Sequence, residues 1–169
     1  MKAKYYLWAS LISLIFSCKK INIGENGTVD LFLIEKYEKL NQSCQIDEKT
    51  VKTENDPFLS YKDFESYDNE NYTFKLTNEA AEKVKNLKPS VFGLPFALKA
   101  NNELIYTGYF WPSYSSASCA WVIIDPIMMQ ENQLKVQLGY PGQFEGQSIP
   151  DKRNDERILS IFRKDKKLN

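Results

Sequence analysis

Residues 29–169 of the sequence predict a single α+β domain, a mostly antiparallel sheet with about two helices packed on it. Three observations predict it. Tyr72-Thr73-Phe74-Lys75-Leu76-Thr77 alternates with period two and runs directly into a helix that has its own start and stop. Leu94–Ala100 and Glu103–Phe110 flank Asn101-Asn102, and Asn tolerates the positive φ that a tight hairpin requires. Asp151–Phe162 carries Ile158, Leu159 and Phe162 on one side, the pattern of a closing amphipathic helix. Strands interleaved with helices in this order imply an α+β layer architecture.

Val29-Asp30-Leu31-Phe32-Leu33-Ile34 favours a first strand ending near Tyr37. Glu38–Asp56 is charged and amide-rich without periodicity, so it is expected as a surface loop. Pro57-Phe58-Leu59 and Tyr61-Lys62-Asp63-Phe64 suggest an extended piece leading into a turn of helix. In 72–77, Tyr72, Phe74 and Leu76 share the buried face. Thr77 or Asn78 then caps a helix in which Glu79 suits the positive end of the dipole and Ala80, Ala81, Val84 and Leu87 share one face. Lys88-Pro89 ends it. Trp121–Ile124 and Leu134–Leu138 are expected as further strands.

Ahead of this domain stands a leader. Lys2 and Lys4 give a positive start, Tyr5–Phe16 is an uncharged run of twelve, and Ile15-Phe16-Ser17-Cys18 closes it. Such a run is short of the roughly 20 residues a membrane-spanning helix needs. An ordinary secretory signal ends in small residues of the A-x-A kind, which Ile15-Phe16-Ser17 does not supply. The expectation is a bacterial lipoprotein signal over residues 1–17, cleaved before Cys18, with palmitate and related acyl chains on that cysteine. Each buried methylene contributes about 0.8 kcal/mol, and several chains on one residue hold a protein at a membrane. Lys19–Thr28 is polar with Gly24 and Gly27, and residues 18–28 are expected to tether the domain. Lys19 and Lys20 follow the anchor without acidic residues, so the expected place is the periplasmic face of the outer membrane, with the cell surface as the alternative.

Two cysteines remain beside the anchor. Cys44 and Cys119 make an even pair in an oxidising compartment, open to a disulfide or to two buried apolar thiols. The chain has 22 basic and 22 acidic residues, and loss of Lys2 and Lys4 with the leader leaves a net charge of about −2. Neither nucleic acid nor an anionic membrane surface is an expected partner at that balance.

Pro57–Phe64, Phe74–Ala81 and Leu94–Tyr106, taken in order, resemble the first periplasmic domain of the preprotein translocase subunit SecD. That family has an extended piece with a turn, a strand running into a helix, and then a hairpin. Where its hairpin usually turns on Asp-Gly, this chain has Asn101-Asn102. The resemblance covers roughly 50 of 169 residues. It rests on order and hydrophobicity and implies a fold, a SecD-like head domain, since the translocase's membrane helices have no counterpart in this sequence. Function is not carried by fold.

The chain has no His, which removes the commonest general base and the commonest transition-metal ligand. No cofactor motif, phosphate loop or zinc spacing is present. Asp63, Glu65 and Asp68 form an acidic run beside Tyr61 and Tyr67 that could bind a hard cation, but is expected as a solvated turn. The expected role is a non-enzymatic binding or assembly module with a protein or glycan partner in the envelope. A hydrolase of envelope polymers, using paired carboxylates in a cleft, is the alternative.

Phe110–Trp121 is the stretch that suggests recognition, because rigid aromatics stand there among small hydroxyl residues. Trp111 and Tyr114 are the candidate partner contacts, and two Trp in eleven positions could also stack on sugar rings. The competing expectation places Phe110 and Trp121 in the core and Ser113–Ser118 in a solvated turn.

Overall fold

A computed structural model describes residues 27–40 and 43–169, so Cys18 and the leader lie outside the described residues. The described residues form eight strands: β1 (Val29–Lys36), β2 (Lys52–Thr53), β3 (Phe64–Asp68), β4 (Thr73–Leu76), β5 (Leu94–Ala100), β6 (Glu103–Phe110), β7 (Cys119–Ile124) and β8 (Gln133–Tyr140). Two α-helices accompany them, α1 (Asn78–Lys85) and α2 (Glu156–Lys164). The strands form one sheet in the order β2-β1-β5-β6-β7-β8-β4-β3. Every pairing is antiparallel except β6 with β7. The predicted α+β class, with its mostly antiparallel sheet and two helices, is the observed one.

Local chemistry sets the elements. Asn101 and Asn102 take φ of 50° and 64° and turn β5 into β6. Thr77 caps α1, its Oγ1 accepting from the Ala80 N–H at 3.2 Å. Asp155 caps α2 and accepts from the Arg157 N–H at 3.0 Å. The closing helix therefore starts after the turn at Asp151–Asp155, later than its apolar spacing suggests. Tyr72, at φ 54°, falls outside β4. Its ring instead lies under the Arg153 guanidinium at 3.5 Å.

The sheet has a core on each face. On one, Ala80, Ala81 and Val84 of α1 and Ile158, Ile161 and Phe162 of α2 pack over Leu98, Phe110, Val122, Ile124 and Val136. Tyr67 and Phe74 stack there at 4.4 Å, beside Phe162. On the other face a smaller core joins Ile34, Ala97, Tyr109, Trp121 and Ile123 to Ile46, Trp111 and Ile149 from loops. Loops, not helices, roof this second face. One is the crossover 111–118, which the parallel β6–β7 pair requires. Another comprises residues 37–40 and 43–51, pinned by a disulfide between Cys44 and Cys119 with Cα atoms 5.5 Å apart.

The acidic run, expected as a solvated turn, is divided between two elements: Asp63, buried, ends a 3-10 turn, and Glu65 and Asp68 lie on β3. Tyr61–Asp63 is one 3-10 turn, and β3 then pairs with β4. The Glu38–Asp56 segment, expected as loop, contains a further 3-10 turn at Glu48–Thr50 and the two-residue β2.

Candidate functional site

Trp111 follows directly on β6, where side chains alternate between the two cores. Phe110 turns to the helix-covered core and Trp111 to the loop-covered one. The Trp111 N–H donates to the Ile124 carbonyl at 2.8 Å, extending the parallel pairing by one bond. Its ring meets Tyr109 edge-on at 5.9 Å and Tyr140 at 6.2 Å, and the residue is 2% exposed. Gly93, at φ +79°, sits against it, and a Cβ there would come within 2.8 Å of the indole. The expectation of Trp111 as a partner contact is therefore corrected: it is a core side chain. Trp121 is buried too, its Nε1 donating to Thr107 Oγ1 at 3.0 Å. The pair of Trp rings offers no stacking surface to a sugar.

Tyr114 lies on the outside of the same crossover and is 62% exposed. Its hydroxyl donates to the Pro89 carbonyl at 2.9 Å. One residue on, the buried Ser115 Oγ donates to the Val91 carbonyl at 2.6 Å and accepts from the Ala117 N–H at 3.2 Å. These bonds tie the 112–117 crossover to the 89–93 turn that leads into β5. Within that turn Gly93 N–H donates to the Ser90 carbonyl at 2.9 Å, and Phe92 N–H to Ser90 Oγ at 3.2 Å. Two hydrogen-bonded turns thus present Val91, Phe92 and Tyr114 side by side, with Val91 46% and Phe92 65% exposed. Sequence reasoning missed Val91 and Phe92. The Pro89-Ser90 to Gly93 turn signal, with two large apolar residues inside it, could have found them.

The apolar surface has a defined place on the sheet. Leu94 pairs with Phe110, and Phe110 with Ile124, so β5 begins where β6 and β7 end. The turns at 89–93 and 111–115 leave the sheet at that end. At the opposite end Val29 pairs with Ala100 beside the Asn101-Asn102 hairpin. Thr28 N–H donates to Asn101 Oδ1 at 3.0 Å, and the Asn101 N–H donates to the Thr28 carbonyl at 2.9 Å. Gly27 is buried there, so the last residues of the expected tether are packed on the domain.

Carboxylates are dispersed. Asp63 accepts from the Ser60 N–H and hydroxyl at 2.8 and 2.9 Å and lies 3.9 Å from Lys83. Asp68 accepts from the N–H groups of Glu70 and Asn71 and from Asn71 Nδ2, and the Asn71 bonds, largest among the causes, hold its carboxyl below the usual range. Glu65 is exposed on the strand between them. Glu35, Glu54 and Asp56 line a shallow hollow of about 380 Å³ with Lys52, which pairs with Glu35 at 2.6 Å. All three acids are exposed. Among the described residues no three acids or cysteines are gathered as metal ligands. No described helix is long and apolar enough to cross a membrane.

A larger, polar cleft of about 600 Å³ lies on the β3–β4–β8 wing, lined by Asp68, Asn71, Thr73, Lys75, Gln133 and Lys135 among others. Compared with models of known protein families, with curated protein sequences and with solved structures, the chain matches none of them.

Proposed function

We propose that this chain is a lipid-anchored lipoprotein of the bacterial envelope, acting as a non-enzymatic module that docks a protein partner through Val91, Phe92 and Tyr114. The observation that carries the reading is the opposition of two ends. The tether joins the domain at the Asn101-Asn102 hairpin, whereas the exposed apolar side chains stand at the far end of β5. Seven strand residues at about 3.3 Å each separate the two ends by roughly 20 Å. An acylated Cys18 on the periplasmic face of the outer membrane then holds the hairpin end toward the bilayer and turns the apolar end away from it.

The chemistry favours a protein over a bilayer as the occupant of that apolar end. Aromatic side chains held on hydrogen-bonded turns lose little conformational entropy on binding, which is the character of interface anchors. The SecD-like order of Pro57–Tyr106 supports the fold of such a module and adds no activity to it.

The test combines Phe92→Ala with Tyr114→Ala in cells that carry the acylated protein. The double variant should stay folded, with a thermal midpoint within about 5 °C of the wild type, and lose its crosslinked protein partner. Retention of the same crosslinked partner by a folded double variant would remove the proposal. A parallel Cys18→Ser variant should lose palmitate and leave the membrane fraction.

A further inference from the structure

The two edges of the sheet are closed differently. At one, β2 has two residues, too few to template a partner strand. At the other, β3 has five, and an edge of that length offers its N–H and C=O groups to a strand of another chain. Residues Lys167, Leu168 and Asn169 cover it. The Tyr67 N–H donates to the Lys167 carbonyl at 2.8 Å and the Asn169 N–H to the Tyr67 carbonyl at 2.9 Å, so these residues lie along β3 as a parallel strap. A third bond, from the Asn69 N–H to the Asn169 carbonyl, is longer at 3.4 Å. Lys167 Nζ donates to the Phe64 carbonyl at 2.7 Å, Asn169 Nδ2 donates to Ser66 Oγ at 3.0 Å, and Leu168 packs against the helix-covered core.

One residue aims the strap. The Lys166 N–H donates to the Arg163 carbonyl at 3.2 Å and the Lys167 N–H to the Phe162 carbonyl at 2.8 Å, the pair of bonds that ends a helix on a left-handed residue. That residue is Lys166, at φ 57°, in a conformation that favours glycine and disfavours a side chain. The turn that lays the strap on β3 is therefore its weak point. With the strap lifted, the Tyr67 N–H and C=O face outward. The same strand of a second copy, antiparallel and centred on Tyr67, would exchange both bonds with it. Ser66 would then stand opposite Asp68, and Glu65 opposite Asn69, so no like charges meet. We propose that residues 167–169 mask a self-association edge, and that lifting them joins two copies of this chain through β3. The edge depends neither on acylation of Cys18 nor on Val91, Phe92 and Tyr114.

Disulfide trapping with the purified, detergent-solubilised full chain tests this. Lys166→Val puts a β-branched residue where the left-handed conformation is needed and so loosens the strap without removing it. In that background, chains carrying Ser66→Cys are mixed with chains carrying Asp68→Cys and oxidised with copper phenanthroline. Two thiols give their electrons to copper(II) and their protons to solvent as the S–S bond forms. Opposed residues of a non-hydrogen-bonded antiparallel pair have Cα atoms about 4.5 Å apart, within the range a disulfide spans. The mixture should give a covalent dimer, and either chain alone should give no more than the chain without added cysteines. Its yield should be about tenfold above that of the same mixture with Lys166 unchanged, and Lys166→Gly should leave it at that lower level. Removal of residues 167–169 should raise it further where circular dichroism shows the truncated chain folded, and Lys166→Val decides where it does not. No dimer with Lys166→Val overturns the proposal, as does an equal yield with Lys166 unchanged. A dimer of the same yield from Ser66→Cys alone overturns it equally, because the pairing would then not be centred on Tyr67.

Discussion

Thr28 and Asn101 exchange two hydrogen bonds, Thr28 N–H to Asn101 Oδ1 at 3.0 Å and Asn101 N–H to the Thr28 carbonyl at 2.9 Å. One residue thereby does two tasks. Its side chain fixes where the chain joins the sheet, and its backbone, at φ 50°, begins the β5–β6 turn. Asn101→Gly should lose only the side-chain bond, about 0.5–1.5 kcal/mol. Asn101→Ala should add the left-handed backbone penalty of about 1–2 kcal/mol. Urea unfolding of the two variants checks the order, and equal losses would contradict the account of the turn.

The disulfide closes a separation of 75 residues and pins residues 43–51 over Trp121 and Ile123. Replacing Cys44 and Cys119 together with Ser should cost about 2–4 kcal/mol of stability. Mass spectrometry should show no alkylation of either cysteine before reduction and two added groups after it. Free alkylation of both in the unreduced protein would leave the second core closed by packing alone.

Trp111 and Trp121 differ in their polar atoms. Trp121 Nε1 donates to Thr107 Oγ1, whereas Trp111 Nε1 meets no acceptor among the described residues. Trp111→Phe should therefore lose packing only, about 1 kcal/mol, and Trp121→Phe should lose more because the buried Thr107 hydroxyl is left without its partner. Trp111→Ala should cost about 3–5 kcal/mol, against about 0.5–1.5 kcal/mol for Tyr114→Ala, which loses only the hydroxyl's bond to the Pro89 carbonyl. Thermal unfolding of the four variants tests the assignment of one ring to the core and the other to the surface.

Acid should loosen the turn into α2. The Arg153 guanidinium, bound at 2.7 Å, holds Asp151 below the usual carboxyl range, and Arg157, at 2.8 Å, does the same for Asp155. A carboxyl lowered in the folded state contributes stability that is fully present above its unfolded value near 3.9 and is lost as pH falls through the folded value. The urea midpoint should thus hold level down to about pH 5 and then fall. Asp155→Asn keeps a capping oxygen, so it should flatten part of that fall at a cost of less than about 1 kcal/mol near neutral pH.

What could be read beforehand follows from locality. β4, α1 and the β5–β6 hairpin announce themselves because Phe74 and Leu76 keep period two, Thr77 caps, and Asn101-Asn102 turn. β3 does not, because a register shift between Phe64 and Ser66 puts its buried residues, Phe64 and Tyr67, three apart. The position of β8 between β7 and β4 depends on pairings distant in sequence. At the site, Trp111 and Tyr114 looked alike because β6 is covered on both faces there, and alternation alone does not say which aromatic is roofed. The parallel β6–β7 pair decides it, by sending the crossover over Trp111 and leaving Tyr114 outside.

The two-ended arrangement is tested most directly by photo-crosslinking in intact cells. A photoreactive amino acid is placed singly at Phe92 and at Asn102, opposite ends of β5 and both exposed. The account predicts a discrete crosslinked protein from position 92, lost on Tyr114→Ala, and none from position 102. The same product from both positions, or a product from 102 alone, would contradict it.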